Sequence, residues 1–206
     1  MSAPTADPRA TMLASLEAAG RLVTALRGRA ELLERIAALL LETLRAGRTI
    51  LTCGNGGSSA EALHLAEEML GRYQPSPDRP GLAAISLCAD ACAITCIAND
   101  FGFEEIFARQ VTALGRPGDT LVALSTSGRS PNILRALERA RAAGLRTVGL
   151  LGPAHSPAEP LCDLALTLDD LPSARVQEGH LIAIHLFLDY IDRAVAAAAR
   201  PINRRE

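Results

Sequence analysis

The chain has 206 residues, 21 basic and 23 acidic side chains and a formal net charge of -2. That length buries a core as one domain, and the near-balance of charge excludes the basic footprint of a nucleic-acid or acidic-membrane binder. No stretch reaches the roughly 18 apolar residues of a membrane span, and the opening "MSAPTADPRATM" has no apolar signal core, so a cytoplasmic protein without a membrane partner is expected.

Residues 10–47 place apolar side chains at spacings of three and four, with Gly20 and "RGRA" as breaks; two helices are expected there, as the N-terminal segment of a single domain spanning 1–206. A β-type run, "TILTC" (49–53), leads into the turn "GNGGSS" and a helical pattern reaching about Arg72. The proline-rich loop "QPSPDRPG" (74–81) precedes an apolar run, "LAAISL" (82–87), and a short helix toward Ile97. Cys88, Cys92 and Cys96 are spaced by four, which would align three thiols on one helical face as metal ligands. They lack the CxxC pairing of zinc sites, and small buried hydrophobes are the preferred reading. The five cysteines, without a secretion signal, predict reduced thiols.

Further on come a strand at "TLVALS" (120–125), a helix from Pro131 to Ala143 ended by Gly144, strands at "RTVGLL" (146–151) and "CDLALTL" (162–168), and a last helix from Ser173 to Ala199. Continuous apolar strands alternating with helices predict an α/β fold, a three-layer α-β-α sandwich around a parallel sheet, with ligands beyond the carboxyl ends of the strands. "LLERIAALLLETL" and "LIAIHLFLDYIDRAVAAAA" are apolar around more than one face, as in a homo-oligomer packed through its terminal helices or in helices buried within one chain.

Between strand and helix, "LVALSTSGRSPNI" holds Ser125, Thr126, Ser127, Gly128 and Ser130, where free backbone N–H groups and the helix dipole favour an anion. Ser130 also suits an N-cap, with Pro131 at the first helical position, yet a cap alone does not need four hydroxyls. The absence of a GK[ST] ending points to a phosphomonoester rather than a nucleotide. "CGNGGSS" lacks the GxGxxG spacing of an NAD site. His64, Glu68 and Arg72 follow at spacings of four and are expected to share one helix face, and Gln177 and His185 are eight apart on the last helix, also near one face. Taken singly, each also reads as a routine intrahelical pair or a core histidine.

Together, "CGNGGSS...HLAEE...GR", "NDFGFEEIF", "STSGRSPN" and "ARVQEGHLIAIH" resemble the successive motifs of the phosphoheptose isomerase family of the SIS (sugar isomerase) superfamily, over about Ile50 to His185. The resemblance implies a flavodoxin-like SIS fold and conversion of sedoheptulose 7-phosphate to D-glycero-D-manno-heptose 7-phosphate through an enediolate, a first step of ADP- or GDP-heptose biosynthesis. It implies Glu68 and His185 as the catalytic pair, and one zinc per subunit on His64, Glu68, Gln177 and His185. The implied substrate contacts are Asn55, Gly56, Gly57, Ser58, Glu68, Arg72, Asn99, Asp100, Ser125, Thr126, Ser127, Ser130 and Gln177. It also implies a homotetramer. Some family members carry Asp before "RIQE", where this chain has Ala174 before "RVQE". The competing expectation is a non-catalytic SIS relative that binds a partner such as the replication initiator DnaA; retention of Glu68, Gln177 and His185 favours the enzyme.

Overall fold

The structure is a computed structural model that describes residues 7–75 and 79–197. Helix α1 (Pro8–Arg27) opens with Asp7 accepting a hydrogen bond from the Arg9 amide and Pro8 in the first turn, and α2 is Ala30–Arg45. Then follow β1 (Ile50–Gly54), α3 (Gly57–Leu70), β2 (Ala84–Ser86), α4 (Ala91–Phe101), α5 (Ala108–Leu114), β3 (Thr120–Ser125), α6 (Pro131–Ala142), β4 (Arg146–Leu151), β5 (Leu164–Thr167) and α7 (Ser173–Ala196).

The five strands are all parallel, in the order β2-β1-β3-β4-β5. Successive side chains of a strand face opposite ways, so each apolar run feeds two cores. Ile50, Val122, Leu124, Val148 and Leu150 pack under α2, α3 and α7, with Ile36, Leu40, Leu65 and Phe187. Leu51, Cys53, Leu121 and Ala123 pack on the other face with Phe107, Val111, Ile133 and Leu137. This is the three-layer sandwich expected from the sequence.

Several boundaries differ. Gly20 does not break α1, because an exposed glycine costs only about 1 kcal/mol in a long helix; the break falls at Gly28, in "RGRA". β2 keeps only three of the six expected residues, since as an edge strand it pairs with β1 alone. α4 extends to Phe101 instead of ending near Ile97, and begins at Ala91, where Asp90 accepts the Ala93 amide at 2.9 Å. Cys88 therefore precedes the helix, and the three thiols do not share one face. Nor are they the small buried hydrophobes expected: Cys88 is only partly buried, and Cys92 and Cys96 are exposed. The expected end of α7 at Ala199 lies outside the described residues. α3 stops at Leu70, capped by Gly71, so Arg72 stands in the following turn, exposed, and does not extend the helix face of His64 and Glu68.

Candidate active site

In the order 2-1-3-4-5 the chain leaves β1 toward one edge and returns at β3 toward the other, so the loops after β1 and β3 part company above the sheet and leave a crevice. Asn55, Ser58, Leu124, Ser125, Thr126, Ser127 and Ser130 line a small cleft there. Its two walls are tied by a reciprocal amide pair, Asn55 Nδ2 to Asn132 Oδ1 at 2.9 Å and Asn132 Nδ2 to Asn55 Oδ1 at 2.8 Å. In the second loop the Gly128 amide donates to Ser125 Oγ at 3.1 Å, and Gly128 has φ near +60°, a conformation natural to glycine. Ser130 occupies the N-cap position of α6 but makes no side-chain cap bond, and Pro131 follows it. Its hydroxyl is thus not consumed by capping. Convergent hydroxyls at a strand-to-helix turn form a neutral cradle for a phosphate dianion.

Gly57 opens α3 directly beneath the end of the Gln177 side chain: a Cβ there would lie 2.2 Å from the Gln177 amide nitrogen, which would have to swing aside. The glycine turn thereby seats the side chain of α7 directly on the start of α3. Two turns along both helices, His64 Nε2 and His185 Nε2 lie 3.1 Å apart, their rings edge to face, and Tyr73 stacks on His185 at 5.5 Å between centroids. Glu68 Oε1 is 3.8 Å from His64 Nε2, and Glu67 Oε2 is 3.5 Å from Nδ1 of the same ring. Burial, then the neighbouring His64, lower the pKa of His185 below its ordinary value, with Glu68 opposing. At neutral pH His185 is the uncharged imidazole, ready to accept a proton or bind a metal.

The donor set fits a zinc ion. Zinc–nitrogen bonds of about 2.0–2.1 Å allow two ring nitrogens at this separation to share one ion, and the Glu68 carboxylate lies 3.8 Å from the His64 nitrogen. The His64, Glu67 and Glu68 donor atoms fall within 4.8 Å of one another. Gln177 lies against Gly57 and is eight residues from His185, about 12 Å of helix rise.

Asn55, Ser58, Ser125, Thr126, Ser127 and Ser130 thus meet at the cleft, flanked by Gly56 at the N-cap of α3. His64, Glu68 and His185 meet where α3 faces α7. Asn99 and Asp100 sit on the exposed end of α4, Asn99 Nδ2 donating to Asp100 Oδ1 at 2.7 Å. Three groups escaped the sequence reading. Glu67 and Tyr73 approach the imidazoles, and Glu61 is buried on the Gly57, Glu61, His64, Glu68 stripe of α3, with neither carboxylate oxygen hydrogen-bonded among the described residues. That stripe, at steps of four, three and four, was a readable signal for Glu61. Burial raises its pKa from 4.5 to about 7, the nearby Ser58 hydroxyl pulling the other way.

A parallel sheet with a hydroxyl-rich anion cradle at its switch point defines a sugar-phosphate-binding α/β class, and residues 16–152 match the SIS domain family. Among curated relatives, the phosphoheptose isomerase of Trichlorobacter lovleyi is 48% identical over 166 residues, 81% of this chain and 82% of the relative. That of Pelobacter propionicus is 43% identical over 191 residues, 93% and 99% of the two chains. The structure of phosphoheptose isomerase GmhA from Neisseria gonorrhoeae superposes with a TM-score of 0.85 at 35% identity, covering 91% of this chain and 100% of that one. The chain belongs to the phosphoheptose isomerase family of SIS-domain proteins.

Proposed function

We propose that the protein isomerises sedoheptulose 7-phosphate to D-glycero-D-manno-heptose 7-phosphate, as the committed step toward a nucleotide-activated heptose. The observation that carries this reading is the convergence of Glu68, His64 and His185 between α3 and α7, beside a phosphate cradle built by the β1 and β3 loops. A ketose becomes an aldose when a proton leaves C1 and another arrives at C2, the electrons passing through an enediolate. In this reading the cradle holds the phosphate, and Asn55, Ser58, Gln177 and the turn glycines orient the sugar. Glu68 takes the C1 proton as a carboxylate, and His185 moves the proton that reaches C2 or its oxygen. Positioned acid–base groups of this kind are each worth about 10²- to 10⁴-fold in rate.

His64, Glu68 and His185 would hold a zinc ion; Gln177, whose side chain rests on Gly57 two turns earlier, would have to turn toward them to serve as a further ligand. A bound zinc supplies Lewis-acid polarisation of the carbonyl and stabilises oxyanion charge. One ring nitrogen holds a proton or a metal, never both, so Nε2 of His185 relays protons only in metal-free protein, and Glu68 carries the transfer when the nitrogen is a ligand. Arg72, exposed beyond the end of α3, and Asn99 and Asp100, on the exposed end of α4, are the remaining substrate contacts this reading assigns.

A homotetramer is proposed on the exposed apolar side chains: Met12, Leu13 and Leu16 on α1, Leu63 and Leu70 on α3, and an apolar α4 with no buried residue. Sedimentation of a monomer at working concentration would remove that assignment. Among the described residues no helix is long and apolar enough to cross a membrane, and we place the enzyme in the cytoplasm.

The test is NMR of the protein with sedoheptulose 7-phosphate in D₂O. Formation of aldoheptose 7-phosphate carrying deuterium at C2, abolished by Glu68→Gln, is expected. Full turnover in Glu68→Gln refutes the assigned base.

A further inference from the structure

The last turn of α3 carries Glu68 but contains no basic residue to neutralise its unpaired carbonyls. Those carbonyls are taken up from outside the helix, by Arg79 in the loop leading to β2. Its Nη2 donates to the Glu68 carbonyl at 2.8 Å, and Nη1 donates to the Met69 carbonyl at 3.0 Å, with longer contacts to the carbonyls of Gly71 and Pro80. Nε donates to Asp192 Oδ1 on α7. The Arg79 side chain is wholly buried and that of Asp192 only 4% exposed. Asp192 Oδ2 has no hydrogen-bond partner among the described residues, so this buried carboxylate depends on Arg79 for its neutralisation.

The guanidinium fork therefore bolts two helices together at one point: the backbone of Glu68 itself on α3, and a residue seven positions beyond His185 on α7. A planar, always charged group with five fixed donors can do this; a lysine ammonium cannot reproduce the fork. Loop residues that merely close a helix need no buried anion on a different helix. We propose that Arg79, through Asp192, is a positioning residue that sets the register of Glu68 against His185.

This inference rests on the reading of Glu68 and His185 as the reacting groups. Displacing a reacting group by about 1 Å costs about 10²-fold in rate, while the phosphate cradle lies at the other end of α3 and is untouched. In Arg79→Lys, kcat per folded chain is expected to fall at least about tenfold with KM for the sugar phosphate within about twofold of the parent, whereas partial unfolding would lower activity in proportion to the folded fraction measured by circular dichroism. An unchanged kcat, or a KM that rises with kcat intact, overturns the proposal. If Arg79→Lys does not fold, the double replacement Arg79→Met with Asp192→Leu removes both buried charges, a change that buried ion pairs often tolerate; the same loss of kcat is expected, and parental kcat overturns the proposal. Hydrogen exchange on the unmodified protein judges the clamp independently of turnover: the amides of Met69 and Leu70 should exchange as slowly as those at the centre of α3, and fraying of that turn overturns it even if the isomerase reading stands. Absence of isomerisation in the parent with these amides protected is failure of the isomerase reading, not of the clamp.

Discussion

Glu61 offers a quantitative test of the site's electrostatics. The residue is 8% exposed, its carboxyl has no hydrogen-bond partner among the described residues, and burial raises its pKa from 4.5 to about 7. An acid whose folded pKa is raised binds its proton more tightly in the folded than in the unfolded chain, so between pH 4.5 and 7 the folded state holds more protons and stability falls as pH rises. At 1.36 kcal/mol per pKa unit the full loss, complete above pH 7, is about 3 kcal/mol as an upper figure. His180 acts in the opposite sense. Fully buried, with its Nε2 3.2 Å from the Leu151 carbonyl, it is lowered by burial to about 4, and the stability it lends the neutral protein is lost as pH falls from 6.5 toward 4. The two contributions offset each other in the parent. They separate in Glu61→Gln, which cannot ionise. Urea unfolding followed by circular dichroism at pH 5, 6, 7 and 8, at one protein concentration, should give a variant-minus-parent difference that grows with pH by about 2–3 kcal/mol. The variant should lose stability on acidification more steeply than the parent. Parallel curves for the two proteins across this range would refute the argument, because burial would then not be resisting the charge on Glu61.

In Gly57→Ala the atoms nearest the new Cβ are the end of the flexible Gln177 side chain, so the expected outcome is a small stability change, below about 1 kcal/mol, with the kinetic defect of Gln177→Ala reproduced; steady-state kinetics of both variants beside urea midpoints check it. His64→Ala removes one of the two imidazoles that face each other at 3.1 Å, and elemental analysis of tag-free protein should find zinc in the parent and at least about tenfold less in the variant. Parent protein that is zinc-free and unaffected by chelation refutes the metal assignment.

The fold was legible because its signals are local and mutually consistent. "TLVALS" and "RTVGLL" are too short and too β-branched for helices, and their bounds match β3 and β4 residue for residue. The edge strand was overdrawn because pairing, not composition, decides how much of "LAAISL" is strand. The face of α3 was readable as far as Glu68, since a helix turn fixes i and i+4 together; Arg72 failed the same rule because Gly71 ends the helix before it. Glu67, three residues from His64 on one helix, was readable by that same rule, but Tyr73 and Arg79 were out of reach for another reason. Their partners are His185 on α7 and Asp192, 113 residues beyond Arg79. A charged residue in a proline-rich loop carries no periodicity, so nothing in "QPSPDRPG" marks its arginine as buried. Only the docking of α7 against the end of α3 does that. Catalytic residue types are thus written in motifs, while the groups that hold them in register emerge from packing between motifs, which makes the loop arginine a more demanding test of the site than any residue inside them.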